Sequence, residues 1–215
     1  MEKVITKDGS ITFINKKTGD FYHAFSGAAT EACEKYAKAL NVDKVKDPVI
    51  FDICAGMGYN ASAALDIIKT KATIYLFEDD IEIIMMALEA DAPFKSYHHI
   101  QSLVRQFLEN KSAVTAYEKD GIKLVLMFGD ARKTITDVKE KADFIFFDPF
   151  SPSKTPDMWQ EQFFKDINSK SKRGAKLATY SCARFVRNNL IAAGFKVEDG
   201  PRWGKNSPTT IGILS

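Results

Sequence analysis

A chain of 215 residues, 45% of them hydrophobic, holds enough apolar material for one core and little for two. A net charge of +2 excludes a polycation that would bind nucleic acid through bulk charge alone. Three widely spaced cysteines (Cys33, Cys54, Cys182) with no C-x-x-C pair point to neither a disulfide framework nor a zinc site, so no metal is expected. No apolar run approaches a membrane span and the N-terminus lacks a signal-peptide core, which predicts a reduced, cytoplasmic protein without membrane contact. The charge is uneven, however. From Lys165 to Lys205 ten basic residues face three acids, which fits either a surface for an anionic polymer or a solvated lysine-rich face.

Val4–Thr6 and Ile11–Ile14 flank Lys7-Asp8-Gly9-Ser10 and read as a β-hairpin with an Asp-Gly turn. Ser26 is expected to cap a helix from Ala28 to Leu40, with Ala29, Cys33, Tyr36, Ala37 and Leu40 on its apolar stripe. Residues 1–47 thus form an extension ahead of an α/β core spanning 48–215, the whole reading as one domain.

That core is organised around Pro48–Asn60. Val49, Ile50, Phe51 and Ile53 make the apolar run of a strand buried on both faces. Cys54-Ala55-Gly56-Met57-Gly58 then turns into a helix over Tyr59–Ile68. Glycine at such a turn lets a ligand approach the backbone closely, although a strand–helix connection with no ligand has the same look. Ala72–Phe77 is a second buried strand ending in Glu78-Asp79-Asp80. Glu78, twenty positions after Gly58, sits where nucleotide-binding folds place a carboxylate for both ribose hydroxyls. Acids there also complement a helix dipole.

Ile81–Ala90 and Tyr97–Ser112 read as helices, and the adjacent His98 and His99 as surface or packing residues. Val114–Tyr117 and Ile122–Phe128 flank a hairpin-like Lys119-Asp120-Gly121. The second run, the third core strand, ends in Gly129-Asp130-Ala131; Asp130 is placed to accept from an adenine amine, to cap the next helix, or both. A fourth strand, Ala142–Phe147, delivers Asp148-Pro149-Phe150-Ser151-Pro152. An Asp at that strand end lies on the rim where open α/β sheets bind ligands, two prolines stiffen the loop, and Phe150 offers a flat wall. Ala175–Tyr180 is a fifth strand, and Ser181 is expected to cap a helix over Ala183–Ala193. Phe195–Glu198 and Thr209–Leu214 close the sheet as an antiparallel pair, giving seven strands. Between them Gly200–Asn206 mixes basic and aromatic residues.

The strand-end acids describe a nucleoside without a pyrophosphate. Glu78 suits the ribose, Asp130 with Ala131 the adenine, and the Gly56–Gly58 turn with Asp52 an amino-acid tail whose ammonium Asp52 would hold. Ala61 stands where the dinucleotide fingerprint has its third glycine, and no P-loop follows the first strand. S-adenosylmethionine fits better than a nicotinamide dinucleotide.

Asp148-Pro149-Phe150-Ser151-Pro152-x-Lys154 with Pro156 and Trp159 resembles the signature of the MnmC-type methyltransferase family. Tyr22-His23 with Gly27-Ala28 and Glu31 agrees with it, as do Gly56-x-Gly-x-Asn60 and Thr179-Tyr180-Ser181-x-Ala183 with Val186-Arg187. Pro149 departs from the family's Ala, and Asn206 from its Arg. The resemblance implies a class I methyltransferase that converts 5-aminomethyl(-2-thio)uridine to its 5-methylaminomethyl form at the tRNA wobble position. It also implies a link to the enzymes that make the aminomethyl precursor. The flavin oxidase domain of the bifunctional family members is expected to be absent, since nothing follows Ser215. Asp148 is then the residue expected to orient the amine and take its proton. Tyr22, Asp52, Gly56, Gly58, Asn60, Glu78, Asp130 and Ala131 are expected at the cofactor. Pro149, Phe150, Ser151, Lys154, Trp159, Arg184, Arg187 and Lys205 are expected at the substrate, the cations on phosphates of the anticodon region. A protein or small-molecule amine as acceptor, or a non-catalytic RNA-binding relative, stays open as an alternative.

Overall fold

A computed structural model describes residues 1–203 and 207–215, so the expectations at Lys205 and Asn206 lie outside the described residues. Strands β1 (Glu2–Ile5) and β2 (Ile11–Ile14) pair antiparallel, Ile5 opposite Ile11, as the Asp-Gly turn requires. The helix that follows is continuous but not uniform. It begins as α1 (Ala28–Glu31), widens to a π-helical turn over Ala32–Ala37, and ends as α2 (Lys38–Leu40). Ser26 does not cap it. Gly27 holds the cap position without a side-chain bond, and the hairpin turn supplies the acceptors. Ser10 Oγ accepts the N–H of Ala28 at 3.1 Å and of Ala29 at 3.2 Å, and Asp8 Oδ2 accepts that of Thr30 at 2.9 Å. A helix N-terminus must find partners for its free N–H groups, and here those partners weld hairpin and helix into one unit.

The α/β part runs β3 (Val49–Ile53), α3 (Tyr59–Ile67), β4 (Ala72–Glu78), α4 (Ile81–Met86), α5 (Tyr97–Asn110), β5 (Val114–Lys119), β6 (Ile122–Phe128), α6 (Ala131–Thr134), β7 (Ala142–Phe147), α7 (Glu161–Ser169), β8 (Ser171–Thr179), α8 (Arg184–Ala192), β9 (Phe195–Asp199) and β10 (Thr210–Leu214). The sheet order is β5-β6-β4-β3-β7-β8-β10-β9. Strands β6, β4, β3, β7 and β8 are mutually parallel; β5, and β10 against both β8 and β9, pair antiparallel. The sheet therefore has eight strands, not seven. The extra one is β5, whose mostly exposed, charge-bearing sequence is that of an edge strand rather than a buried one. Helix α4 stops at Met86, short of the expected Ala90. Ser181 does not cap α8 either: Ala183 holds that position without a side-chain bond.

Alternation along the strands sorts side chains onto two faces. Ile50, Leu76, Phe144 and Phe146 pack beneath α3, α5 and the N-terminal helix. Phe51, Ile53, Phe77 and Phe147 pack against Trp159 and helices α6, α7 and α8. Asp52, Glu78 and Asp148 share the parity of the first set, so all three point toward the face carrying the N-terminal unit. The order of strands reverses between β3 and β7, which opens a crevice at their C-terminal ends. No helix among the described residues is long and apolar enough to cross a membrane.

Candidate active site

A cleft of about 870 Å³ lies along this crevice, closed over by the segment joining β2 to the N-terminal helix. Its lining carries nine carboxylates against four lysines and arginines. That balance favours a cationic ligand and opposes a pyrophosphate.

The turn after β3 forms one end. Cys54 and Gly56 both adopt left-handed backbone (φ 62° and 54°), which folds the turn back over the strand end. Gly56 N–H then donates to Glu78 Oε2 at 2.8 Å. Glu78 Oε1 accepts from the N–H groups of Asp79 and Asp80, both at 3.0 Å. Burial pushes the Glu78 carboxyl up to about 7 despite these bonds. A Cβ on Gly56 would meet nothing closer than 3.9 Å, so this backbone faces open cleft. Gly58 differs: its missing Cβ would lie 2.9 Å from Ile100, and the residue packs α3 on α5 rather than facing a ligand. Asp130 caps α6 through Arg132 N–H (3.0 Å) and holds the Arg132 guanidinium at 2.9 and 2.8 Å, which keeps its carboxyl below the usual range. Tyr22 lines the opposite wall, with its hydroxyl donating to Asp80. The amino-acid and nucleoside ends of S-adenosylmethionine fit this wall: bare backbone at Gly56, acids at Glu78 and Asp130, and an overall negative lining for a sulfonium.

Asp148 forms the other end. Tyr36 OH donates to its Oδ1 at 2.5 Å and Asn60 Nδ2 to its Oδ2 at 3.0 Å. Burial first, and then the nearby Glu31 carboxylate, raise the Asp148 carboxyl to about 7, while the two hydrogen bonds and Lys35 pull the other way. Glu31 and Lys35 form a buried ion pair at 2.6 Å within the N-terminal helix, and Lys35 Nζ lies 5.4 Å from the centre of the Trp203 ring. Glu31 also accepts the N–H of Ala24 at 2.7 Å. Lys35 and Tyr36, consecutive in sequence, are both buried in the π-helical turn, a distortion that recurs at functional sites.

The loop after Asp148 is braced from below. Trp159 is fully buried and donates its indole N–H to Phe150 O at 3.0 Å; Tyr180 OH donates to Pro149 O at 3.0 Å. The Phe150 ring packs against Tyr22, ring centres 5.0 Å apart, and both line the cleft. Lys154 Nζ donates to Thr18 O at 2.8 Å and so ties the loop to the β2 exit.

Of the residues expected at the ligands, Tyr22, Gly56, Glu78, Asp130, Ala131, Asp148, Pro149, Phe150, Ser151 and Lys154 line the cleft. Six do not. Asp52 has the same parity as Glu78 and Asp148 but lies deeper along its strand, completely buried under α3, where it accepts Ala61 N–H at 3.1 Å and does not line the cleft. Gly58 packs helices, Asn60 orients Asp148, and Trp159 supports the loop instead of meeting a base. Arg187 is committed to Asp199 (2.8 Å), to Thr210 Oγ1 (3.0 Å) and to Thr209 O, which leaves it unsuited to a phosphate. Arg184 is exposed at the start of α8, outside the cleft. Sequence reasoning missed Tyr36, which it placed on an apolar stripe, as well as Lys35. The Glu31–Lys35 spacing of four among alanines was the available signal of a buried pair.

Known proteins share this fold. A model of the S-adenosyl-L-methionine-dependent methyltransferase family matches residues 94–215. The crystal structure of MnmC2 from Aquifex aeolicus superposes with a TM-score of 0.81 at 30% identity, covering all of this chain and 70% of that one. The chain therefore belongs to the S-adenosylmethionine-dependent methyltransferases of class I, in their MnmC-type family, and S-adenosylmethionine is its cofactor. An uncharacterised protein of Methanocaldococcus jannaschii is 33% identical over 208 residues, 97% of this chain and 58% of that protein. The bifunctional MnmC protein of tRNA 5-methylaminomethyl-2-thiouridine biosynthesis from Leptospira borgpetersenii is 41% identical over 94 residues. That match covers 44% of this chain, and the chain spans only 14% of that protein's length.

Proposed function

We propose that the protein methylates the primary amine of 5-aminomethyl(-2-thio)uridine at the wobble position of tRNA, giving the 5-methylaminomethyl form. One observation carries this reading: Asp148, at the end of β7 in the DPFSP loop, is a half-buried carboxyl raised to about 7 that lines a cofactor-sized cleft. The tRNA-modifying role in the name of the Leptospira relative supports the choice of acceptor.

The cofactor, when bound, supplies an electrophilic methyl carbon on a positively charged sulfur. Gly56, Glu78, Asp130 and Ala131 would hold it. The acceptor amine reaches the site mostly as an ammonium and needs its lone pair. Asp148 takes that proton, and a carboxyl near 7 can both accept it and release it to solvent through the open cleft. Tyr36 and Asn60 keep the carboxylate turned toward the amine, and much of the acceleration comes from alignment rather than from the proton transfer. Phe150, whose ring packs against Tyr22, offers a uracil ring an aromatic surface. Lys154, Arg184 and Lys205 are the candidates for phosphate contacts, so affinity for tRNA should fall as salt rises. The precursor's aminomethyl group must come from other enzymes, and the reaction belongs where tRNA is modified, in the cytoplasm.

The acid-rich lining also suits a small or protein-borne amine as acceptor. Mass spectrometry of nucleosides from tRNA that lacks only the final methyl, incubated with the protein and S-adenosylmethionine, separates the two readings. A gain of one methyl on the aminomethyl nucleoside is the expected result. No gain on any tRNA, with transfer to a free amine, would replace the acceptor.

A further inference from the structure

Beneath Asp148 lies an arrangement the reaction above does not use. Asp52 (0% exposed) and Asn60 (3%) are neighbours at the junction of β3 and α3, and their side chains interact. Two of their four polar side-chain atoms have a partner. Asp52 Oδ2 accepts Ala61 N–H, and Asn60 Nδ2 donates to Asp148 Oδ2. What remains is a pair of buried oxygens, Asp52 Oδ1 and Asn60 Oδ1, with no hydrogen-bond partner. Buried polar atoms are almost always paired, and a buried lone carboxylate is still more costly. Turning the Asn60 amide over would not help, because its oxygen would then face the Asp148 carboxylate, acceptor against acceptor.

A single proton resolves both vacancies. We propose that Asp52 is held as the neutral acid and donates its O–H to Asn60 Oδ1, which fixes the amide so that its N–H points at Asp148. Asp52 is then a positioning residue, two side chains removed from the acceptor amine. Its surroundings agree. Among the described residues the charged groups that face it are Asp148 and Glu78, both carboxyls on neighbouring strands; burial first and Asp148 next raise its own carboxyl well above the ordinary range, against the opposing pull of the Ala61 N–H and the Asn60 amide. The three acids of one sheet face therefore divide the work: Glu78 is bound by backbone N–H groups, Asp148 faces the cleft, and Asp52 stays neutral between them.

This inference rests on Asp148 being the proton acceptor, but part of its test does not. Infrared difference spectra of the wild type against Asp52→Asn, recorded at about pH 8, where an ordinary Asp is ionised, should show a protonated-carboxyl band that the variant lacks. The band needs no turnover, so its absence from the wild type would overturn the proposal even if the methylation reading stands. Failure of methyl transfer with the band present would instead overturn the reading of Asp148. Kinetics give the second arm. Asp52→Leu should lower kcat about tenfold and move the pH profile of kcat upward, because Asn60 no longer holds its bond to Asp148, while S-adenosylmethionine binds within about threefold of wild type. Asp52→Asn mimics the neutral acid and should restore both kcat and profile. If Asp52→Leu does not fold, the band and the behaviour of Asp52→Asn decide. A tenfold or larger loss of cofactor affinity in Asp52→Asn would show a charged ligand of the cofactor and overturn the proposal.

Discussion

At the cofactor wall of the cleft, Glu78 is bound by three backbone N–H groups and Asp130 by Arg132 and its own helix N-terminus. At the other end, Asp148 is bound, among the described residues, by two side chains, Tyr36 and Asn60. The first wall is set by secondary structure and tolerates change in its surroundings. The second is set by side chains from two places, Tyr36 of the N-terminal helix and Asn60 of α3, and each is a means of tuning. Glu78 and Asp148 both lie near 7, through burial above all, yet only Asp148 has partners that can be exchanged without altering the backbone.

The largest expected effect comes from removing the tuned group itself. Asp148→Ala should cut turnover by about 10²–10⁴-fold while calorimetry shows S-adenosylmethionine still bound; unchanged turnover would take Asp148 out of the mechanism. Trp159→Ala tests the brace beneath the loop after Asp148. A fully buried indole with a hydrogen bond to Phe150 should cost about 3–5 kcal/mol in denaturant unfolding, and a loss below about 1 kcal/mol would mean the loop does not depend on it.

Smaller changes sharpen the contrast by moving a pH profile. Turnover requires ionised Asp148, so wild-type kcat should rise through about pH 7. Tyr36→Phe deletes a hydrogen bond that favours the ionised form, so the inflection moves to higher pH and the rate at neutrality drops about tenfold. The ion pair gives opposed outcomes. Lys35→Met removes a favourable cation and moves the inflection up, whereas Glu31→Gln removes a repelling carboxylate and moves it down. Shifts in one direction for both would mean that packing, not charge, is being read. Weakest of all should be the surface cations: Arg184→Ala should lower the salt slope of tRNA binding by about one charge, while Arg187→Ala, already bound to Asp199, leaves that slope alone.

Much of the molecule could be read in advance. The strand–turn–helix around Gly56, the strand-end positions of Glu78, Asp130 and Asp148, and the antiparallel closing pair all follow from local patterns of apolar runs and turn residues. Errors fell where two distant segments meet. Asp52 and Asn60 looked like cofactor ligands because they flank the glycine turn, but the pleat points Asp52 under α3. Trp159 and Arg187 looked like substrate contacts until tertiary partners claimed them. Tyr36 sat on an apolar stripe, where the periodicity of a helix says nothing about what a hydroxyl will touch 112 residues away.

Sequence by itself thus determined the α/β scaffold and the strand-end positions of Glu78, Asp130 and Asp148, because each depends on neighbours within a few positions. Only the folded chain decided what surrounds the last of these. Asp148's charge state is a property of burial and of Glu31, Lys35, Tyr36 and Asn60, groups that come from other elements and meet it only once the N-terminal unit has docked on the sheet.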